Sequence, residues 1–169
     1  MRRSPSSLTN GERRLVPHRI SVAVDQRYRR RVDASLLRDA AVGTLCSRRL
    51  RLARAVAITV TDTESVRRLN RDYLGLDEPT DVLAFETRFE GVRGPDGVEE
   101  LGAVVIALPV AARGARARGV LLEDELALLV VHGILHLLGV DHATRRDDAA
   151  MREMERVALE RIGRSGAAR

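Results

Sequence analysis

Runs of apolar residues along the chain predict four β-strands. Residues 20–24 alternate apolar and polar positions, as a half-buried strand does, whereas residues 55–60 and 103–107 are nearly continuous apolar runs. A further strand is predicted at residues 81–85, just beyond a proline that ends whatever precedes it. The glycine-rich stretch 91–97 predicts a hairpin-like loop before the last strand.

Apolar residues at helical spacing predict five helices. They cover about residues 34–50, 63–71, 109–118, 122–138 and 145–162. Asp33 is a suitable N-cap for the first helix, and residues 61–64 carry a capping signal for the second. Strands and helices are mixed early in the chain and only helices follow late. This order favours an α+β fold, with a small mixed four-stranded sheet packed by helices, over a strict alternation.

One folded domain is predicted within residues 18–163. A chain of 169 residues with 44% hydrophobic content can bury a single core, and no repeat or second core is visible. Residues 1–17 are predicted to be a disordered basic tail, and residues 164–169 a disordered C-terminus. The leader lacks the apolar core of a secretory signal, and a transit peptide stays open as the alternative to a basic tail.

Composition excludes several kinds of chemistry. All 29 basic residues are arginine, against 24 acidic residues, so lysine is absent and the formal charge is +5. Without lysine there is no amine for a Schiff base or a pyridoxal cofactor, and no phosphate-binding lysine for a Walker-type nucleotide site. The chain has no tryptophan, two tyrosines and two phenylalanines, which argues against binders that stack successive bases on aromatic side chains.

The single cysteine and the length of the apolar runs indicate the cellular compartment of the protein. Cys46 excludes a disulfide within the chain and a cysteine-only metal cluster, and it is consistent with a reducing cytoplasm. It lies among apolar helix positions and is predicted to be a core residue rather than a catalytic thiol. The most apolar run, residues 126–140, is shorter than the roughly 20 apolar residues of a membrane span. We therefore expect a cytoplasmic protein with no membrane association.

Three of the four histidines lie between residues 132 and 142. His132 and His136 are four apart, so one helical turn places both imidazoles on the same face. Gly139 stands where a helix ends in a left-handed residue, and the resulting reversal of the chain can bring His142 towards the other two. Three nitrogen ligands with an open fourth position are the arrangement of a catalytic zinc site.

The predicted helix around these histidines is apolar nearly all round and should be buried. A buried polar group without a partner costs about 1–3 kcal/mol, a penalty that metal coordination removes. The alternative is that the imidazoles are core residues bonded to backbone carbonyls, but three of them at ligand spacing favour the metal. Zinc is the first choice because imidazole suits it, although nickel, copper or iron would accept the same donors.

The acidic residues near the histidine cluster determine which metal-dependent reaction the cluster could support. Metalloproteases place a glutamate directly after the first histidine, as H-E-x-x-H, whereas this chain has Gly133 there. The nearest acid is Asp141, which could act as a base or hold a ligand imidazole by a hydrogen bond. The alternative reading of Asp141 is a turn residue.

Two segments together resemble a known family. Residues 69–85 and 132–142 are similar to the motifs L-N-x-x-Y-R-x-x-D-x-P-T-D-V-L-S-F and H-G-x-L-H-L-x-G-Y-D-H of YbeY-type endoribonucleases, the bacterial rRNA maturation factors. The resemblance extends over about residues 54–156, with Glu125, Met151 and Glu155 as further support. It implies one zinc ion per chain, held by His132, His136 and His142.

The activity implied by the resemblance is single-strand-specific RNA cleavage by a metal-dependent hydrolase. It would serve to mature the 3′ end of small-subunit ribosomal RNA and to control ribosome quality, with ribosomal RNA and the small subunit as partners. The metal would lower the pKa of a water molecule and neutralise a phosphoryl oxygen. Arginines would bind the phosphates. A candidate footprint contains Arg27, Arg29, Arg30, Arg31, Arg48, Arg49, Arg51 and Arg54. The alternative explanation of this arginine content is a general preference for arginine codons.

The chain also departs from the family pattern. The replacements are Leu74 for arginine, Ala84 for serine, Glu86 for proline, Ala103 for aspartate and Val140 for tyrosine. The arginine replaced by Leu74 is the one that the resemblance places against RNA phosphate near the metal. Arg71, three residues earlier, would share its helical face and could supply that contact, whereas the alternative is a solvated surface arginine.

Two other kinds of function stay open at this point. One is a metalloprotease or another zinc hydrolase, which Gly133 disfavours. The other is a ribosome-assembly binding factor with a structural zinc and little or no nuclease activity, which Leu74 and Ala103 favour.

Overall fold

Four strands, five α-helices and one short 3₁₀ helix, Gln26–Tyr28, make up the regular structure of the described residues. The structure, a computed structural model, describes residues 17–48, 50, 52–87, 93–94, 97–140 and 144–164. In chain order the elements are β1 (Arg19–Val24), α1 (Ala34–Ser47), β2 (Arg54–Thr61), α2 (Thr63–Leu74), β3 (Val82–Glu86), β4 (Glu99–Ala107), α3 (Leu108–Arg118), α4 (Leu122–Leu137) and α5 (Arg145–Arg161). All the predicted strands and helices are present, and the α+β fold is confirmed.

The strands form one mixed sheet with the order β1-β2-β4-β3. β1, β2 and β4 run parallel, with Val22 opposite Ile58 and Ile58 opposite Val104. β3 pairs antiparallel with β4, and Ala84 lies opposite Val104. β3 is therefore an edge strand, which leaves one side of its backbone outside the sheet.

The sheet is covered on both faces. The main core joins Ile58 and Val104 of the sheet to buried side chains of α1, α4 and α5. On the other face, Leu83 and Val105 pack with Val66 of α2 and Val110 of α3. α4 lies deepest, since nearly every side chain between residues 125 and 137 is buried. The predicted buried histidine helix is thus present.

The structure corrects three details of the predicted elements. α1 ends at Ser47 rather than near residue 50, and β4 begins at Glu99, before the predicted apolar run. The early start depends on Gly102, because a Cβ there would lie 2.1 Å from the carbonyl oxygen of Phe85. Cys46 is exposed and is not a core residue as predicted. It follows buried Leu45 on α1, and one residue of a helix turns the side chain by about 100° out of the core face.

The ends of the predicted domain are only partly described. Residues 1–16 and 165–169 lie outside the described residues, so the two predicted tails stay predictions. Arg164, assigned to the C-terminal tail, donates its backbone N–H to the Leu159 carbonyl at 2.9 Å and its side chain to Asp124 at 2.6 Å. Among the described residues, no helix is both long and apolar enough to cross a membrane.

Candidate metal centre

The end of α4 is fixed by its capping sequence. Gly139 adopts a left-handed conformation with φ of 75°. Its N–H donates to the His136 carbonyl at 2.8 Å, and the N–H of Val140 donates to the Leu135 carbonyl at 3.0 Å. This is the hydrogen-bond pattern of a Schellman motif, with apolar Val140 folded back on the helix. The predicted turn at Gly139 is confirmed, and it sets the direction of the chain just after the two histidines.

The two helical histidines point at a common position. The Nε2 atoms of His132 and His136 are 3.1 Å apart, and the rings meet edge to face with centroids 4.6 Å apart. Two nitrogen ligands of a tetrahedral zinc ion, each about 2.05 Å from it, are about 3.3 Å apart. The observed separation therefore fits two ligands of one small cation.

A buried glutamate on α5 holds the first of these imidazoles. Glu155 Oε1 lies 2.7 Å from Nδ1 of His132, and the glutamate is only 2% exposed. When the Nδ1 proton is donated to this carboxylate, Nε2 presents its lone pair to the common position. Sequence reasoning named Glu155 only as a family feature and missed this role. The available signal was an acidic residue four positions after Met151 on the apolar face of α5.

The third proposed ligand is outside the described part of the chain. Residues 141–143 are not described, so the predicted roles of His142 as a ligand and Asp141 as a base or a supporting residue stay predictions. Among the residues that are described, no group of three or more His, Cys, Asp or Glu side chains is arranged to hold a metal ion.

The histidines lie in a cleft of about 290 Å³ next to the edge of the sheet. Its lining consists of Val82, Leu83, Ala84 and Glu86 from β3 and of His132, Gly133 and His136 from α4. The cleft is thus bounded by an edge strand on one side and by the imidazoles on the other. A substrate bound in this cleft would lie next to β3.

Gly133 allows α4 to approach the sheet. A Cβ at this position would lie 2.7 and 2.9 Å from the two methyl carbons of Val104, closer than carbon atoms pack. H-E-x-x-H proteases carry glutamate at this position. Here the backbone of α4 packs against the Val104 side chain of β4, which leaves no space for a side chain at residue 133. Protease chemistry that depends on this glutamate is not available to the chain.

The predicted phosphate-binding arginine lies on α2 and is not among the residues that line the cleft. Arg71 is paired with Asp72 at 3.2 Å and with Asp77 at 3.8 Å, and about half of its side chain is exposed. Arg67, one turn earlier, donates two hydrogen bonds to Asp77, and this contact raises the pKa of the guanidinium. Leu74 is 58% exposed on the same helix. Arg71 and Leu74 share a face, as predicted, but acidic neighbours compete for the arginine.

The other predicted arginine footprint is partly neutralised. Arg27 contacts Asp25 at 2.6 Å and Asp62 at 2.5 Å, and its hydrogen bonds lower the pKa of Asp25 to about 2. Arg54 is half-buried and pairs with Glu99. These two arginines therefore have carboxylate partners already.

Comparison with known proteins gives consistent matches. A family model described as endoribonuclease YbeY matches residues 22–163. An endoribonuclease YbeY from Alkalilimnicola ehrlichii is 40% identical over 150 residues, which cover 88% of this chain and 84% of the relative. One from Roseiflexus castenholzii is 40% identical over 149 residues, covering 86% and 94%. The solution structure of TM1509 from Thermotoga maritima superposes with a TM-score of 0.55 at 21% identity, covering 88% and 94%, and supports the fold alone.

Proposed function

The chain belongs to the YbeY endoribonuclease family, and from this premise we propose that it is a zinc-dependent, single-strand-specific endoribonuclease. Its proposed role is maturation of the 3′ end of small-subunit ribosomal RNA and ribosome quality control in the cytoplasm, with the small ribosomal subunit as partner. The observation that carries the proposal is the pair of Nε2 atoms 3.1 Å apart in an open cleft.

In this proposal His132, His136 and His142 hold one zinc ion. Imidazole nitrogen is a favoured zinc ligand, and three protein ligands leave one position for substrate or water. When bound, the ion would supply Lewis-acid chemistry, lowering the pKa of water to about 7 and stabilising charge on a phosphoryl oxygen. Nickel, copper or iron would fit the same donors.

The chain's own residues prepare this chemistry in two ways. In this proposal Nδ1–H of His132 donates a hydrogen bond to Glu155 Oε1, and this bond leaves Nε2 facing the cleft. Gly133 lets α4 lie directly against Val104 of β4, and this packing places both imidazoles beside β3. Asp141 is the proposed base or orienting residue, because it directly precedes His142.

Cleavage assays on the purified chain test the proposal. With added zinc, the protein should cut a single-stranded RNA in its interior, and it should leave duplex RNA and unstructured peptides intact. A chelator should remove the activity and zinc should restore it. Hydrolysis of peptides but not RNA would instead make the chain a zinc peptidase.

The second candidate function is a ribosome-assembly binding factor with a structural zinc. An exposed apolar surface next to β3 supports it. Tyr73, Leu74 and Leu76 are all more than half exposed, and Tyr73 packs on Phe85 of β3 with ring centroids 5.1 Å apart. Exposed apolar side chains of this kind suit a protein partner. Zinc-loaded protein that binds small subunits but never cuts RNA would support this candidate over the nuclease.

Removing the carboxylate behind His132 should weaken metal binding. We expect Glu155→Ala to raise the zinc dissociation constant about 10–100-fold, because the imidazole loses the partner that orients it. Glu155→Gln should raise the dissociation constant less, since its amide oxygen can still accept a hydrogen bond from Nδ1–H. Competition with a coloured chelator measures the constant. Glu153→Gln is the matched control, because Glu153 lies on the same helix and, among the described residues, pairs with Arg156 rather than with a histidine. Equal zinc affinity in all four proteins would contradict the role of Glu155.

Arg71 is proposed to supply a phosphate contact in place of the family's arginine. We expect Arg71→Ala to lower kcat/KM for RNA by about 3–10-fold and to reduce its dependence on salt, as loss of one exposed phosphate contact does. Arg68→Ala is the control, since Arg68 lies on α2 and its side chain makes a 3.4 Å contact to Ser65. In the reverse direction, Leu74→Arg should raise kcat/KM. An unchanged kcat/KM for Arg71→Ala would leave this residue as a surface arginine.

A further inference from the structure

The outer edge of β3 borders the candidate metal centre. β3 is the last strand of the sheet, and among the described residues no strand pairs with its outer side. Its residues line the same cleft as His132 and His136. Backbone groups on this edge therefore lie next to the cleft.

The register of β3 determines which backbone groups point outwards. The N–H of Ala107 donates to the Asp81 carbonyl at 2.8 Å, and the N–H of Thr87 donates to the Leu101 carbonyl at 3.2 Å. In an antiparallel ladder, alternate residues form the hydrogen-bonded pairs. Leu83 and Phe85, which lie between these two ends, thus point their N–H and C=O groups at β4. The N–H and C=O groups of Val82, Ala84 and Glu86 point away from the sheet.

These three outward residues are not equivalent. The Val82 carbonyl is 3.4 Å from the hydroxyl of Thr80. Glu86 carries an exposed carboxylate, which repels a phosphate group at that end of the strand. Within the described residues, no hydrogen bond is made to the outward N–H or C=O of Ala84. Ala84 therefore offers one donor and one acceptor side by side in the cleft.

We propose that the outward backbone of Ala84 binds one nucleotide of the substrate RNA beside the metal centre, an inference that rests on the proposed endoribonuclease function. Its N–H donates to a phosphate oxygen, and its C=O accepts from a ribose 2′-hydroxyl. Because DNA lacks this hydroxyl, the contact contributes to a preference for RNA. The Glu86 carboxylate keeps the next phosphate away from the end of β3 and so sets the position of the RNA along the strand.

An added peptide strand is the other occupant that an edge strand can take. Such a strand pairs with successive alternate residues, so it would need Val82, Ala84 and Glu86 together. The contact to the Val82 carbonyl leaves fewer open groups than a ladder requires. One nucleotide needs only the two groups of Ala84, so the arrangement favours RNA.

The test removes the proposed donor without changing a side chain. Semisynthesis with lactic acid at position 84 replaces the Ala84 N–H by an ester oxygen, and the matched control places the hydroxy acid analogue of leucine at position 83. The Ala84 ester should weaken binding of a single-stranded RNA about tenfold, as loss of a hydrogen bond to a charged group does. The Leu83 ester loses a ladder bond, so it should lower the melting temperature and leave the dissociation constant of the folded protein within about twofold.

Binding is measured by fluorescence anisotropy on the zinc-loaded protein on ice, within a time that is short compared with cleavage, and gels confirm that the RNA is whole during the reading. The wild type should bind RNA more tightly than DNA of the same sequence. Its Ala84 amide should become protected from hydrogen exchange when RNA is added, a readout that does not require the ester variants to fold.

The outcomes separate this inference from the function on which it rests. If the wild type binds and cuts RNA but the Ala84 ester binds equally well, or the Ala84 amide gains no protection, the inference is overturned and the nuclease stands. If a peptide rather than RNA protects the Val82, Ala84 and Glu86 amides together, the edge is a peptide site. If the wild type neither binds nor cuts RNA, the proposed function and this inference both fail.

Discussion

Replacing His136 by alanine should lower the metal content of the purified protein from about one ion per chain to near zero. His136 supplies one of the two Nε2 atoms that lie 3.1 Å apart, and a zinc site of three protein ligands does not survive the loss of one without a large drop in affinity. RNA cleavage should fall by at least about 10³-fold, because Lewis-acid stabilisation is worth several kcal/mol and about 1.4 kcal/mol corresponds to tenfold in rate. Elemental analysis after gentle purification and an RNA cleavage assay measure the two effects.

His18 provides the matched control, because it is the histidine outside the cluster. Its Nδ1 accepts a hydrogen bond from the backbone N–H of Arg54 at 3.1 Å, and burial together with the nearby Arg54 charge lowers its pKa. His18→Ala should keep one ion per chain. Equal metal content in His136→Ala and His18→Ala, or a wild type that holds no metal at all, would remove the basis for the proposed metal centre.

The histidine pair and its turn could be predicted because they are local. A spacing of four residues places two side chains on one helix face wherever the helix lies, and Gly139 followed by Val140 encodes the end of that helix. The strand positions were predictable for the same reason, since apolar runs record burial directly. Neighbouring residues were therefore sufficient to predict the strands and helices, the histidine pair and the turn that follows it.

The missed features depend on contacts between distant segments. Glu155 lies 23 positions from His132, and its contact exists only because α5 packs against α4. The outward direction of the Ala84 backbone follows from the register between β3 and β4, which no local pattern fixes. Cys46 was misplaced because both sides of α1 contain apolar residues, so spacing alone did not show which face is buried.

Gly133→Ala should lower the free energy of unfolding by about 1–3 kcal/mol, the usual cost of overpacking a core. Two effects oppose each other here. Alanine favours a helix over glycine by about 1 kcal/mol, but its Cβ would lie 2.7 Å from a methyl carbon of Val104, a fully buried residue. Steric cost should therefore exceed the helix preference. The shift of α4 should also separate the imidazoles from their common position and weaken zinc binding.

Chemical denaturation of four proteins tests the steric explanation for Gly133. Gly114→Ala is the matched control on α3, because its Cβ would meet only Glu125 Oε1 at an ordinary 3.5 Å. This variant should gain up to about 1 kcal/mol from helix preference. Adding Val104→Ala to Gly133→Ala should restore part of the lost stability, because it removes both methyl groups that the new Cβ would meet, two methyl groups lost for the one gained. If Gly133→Ala proves as stabilising as Gly114→Ala, α4 does not require glycine to approach the sheet, and the absence of glutamate at this position needs another cause.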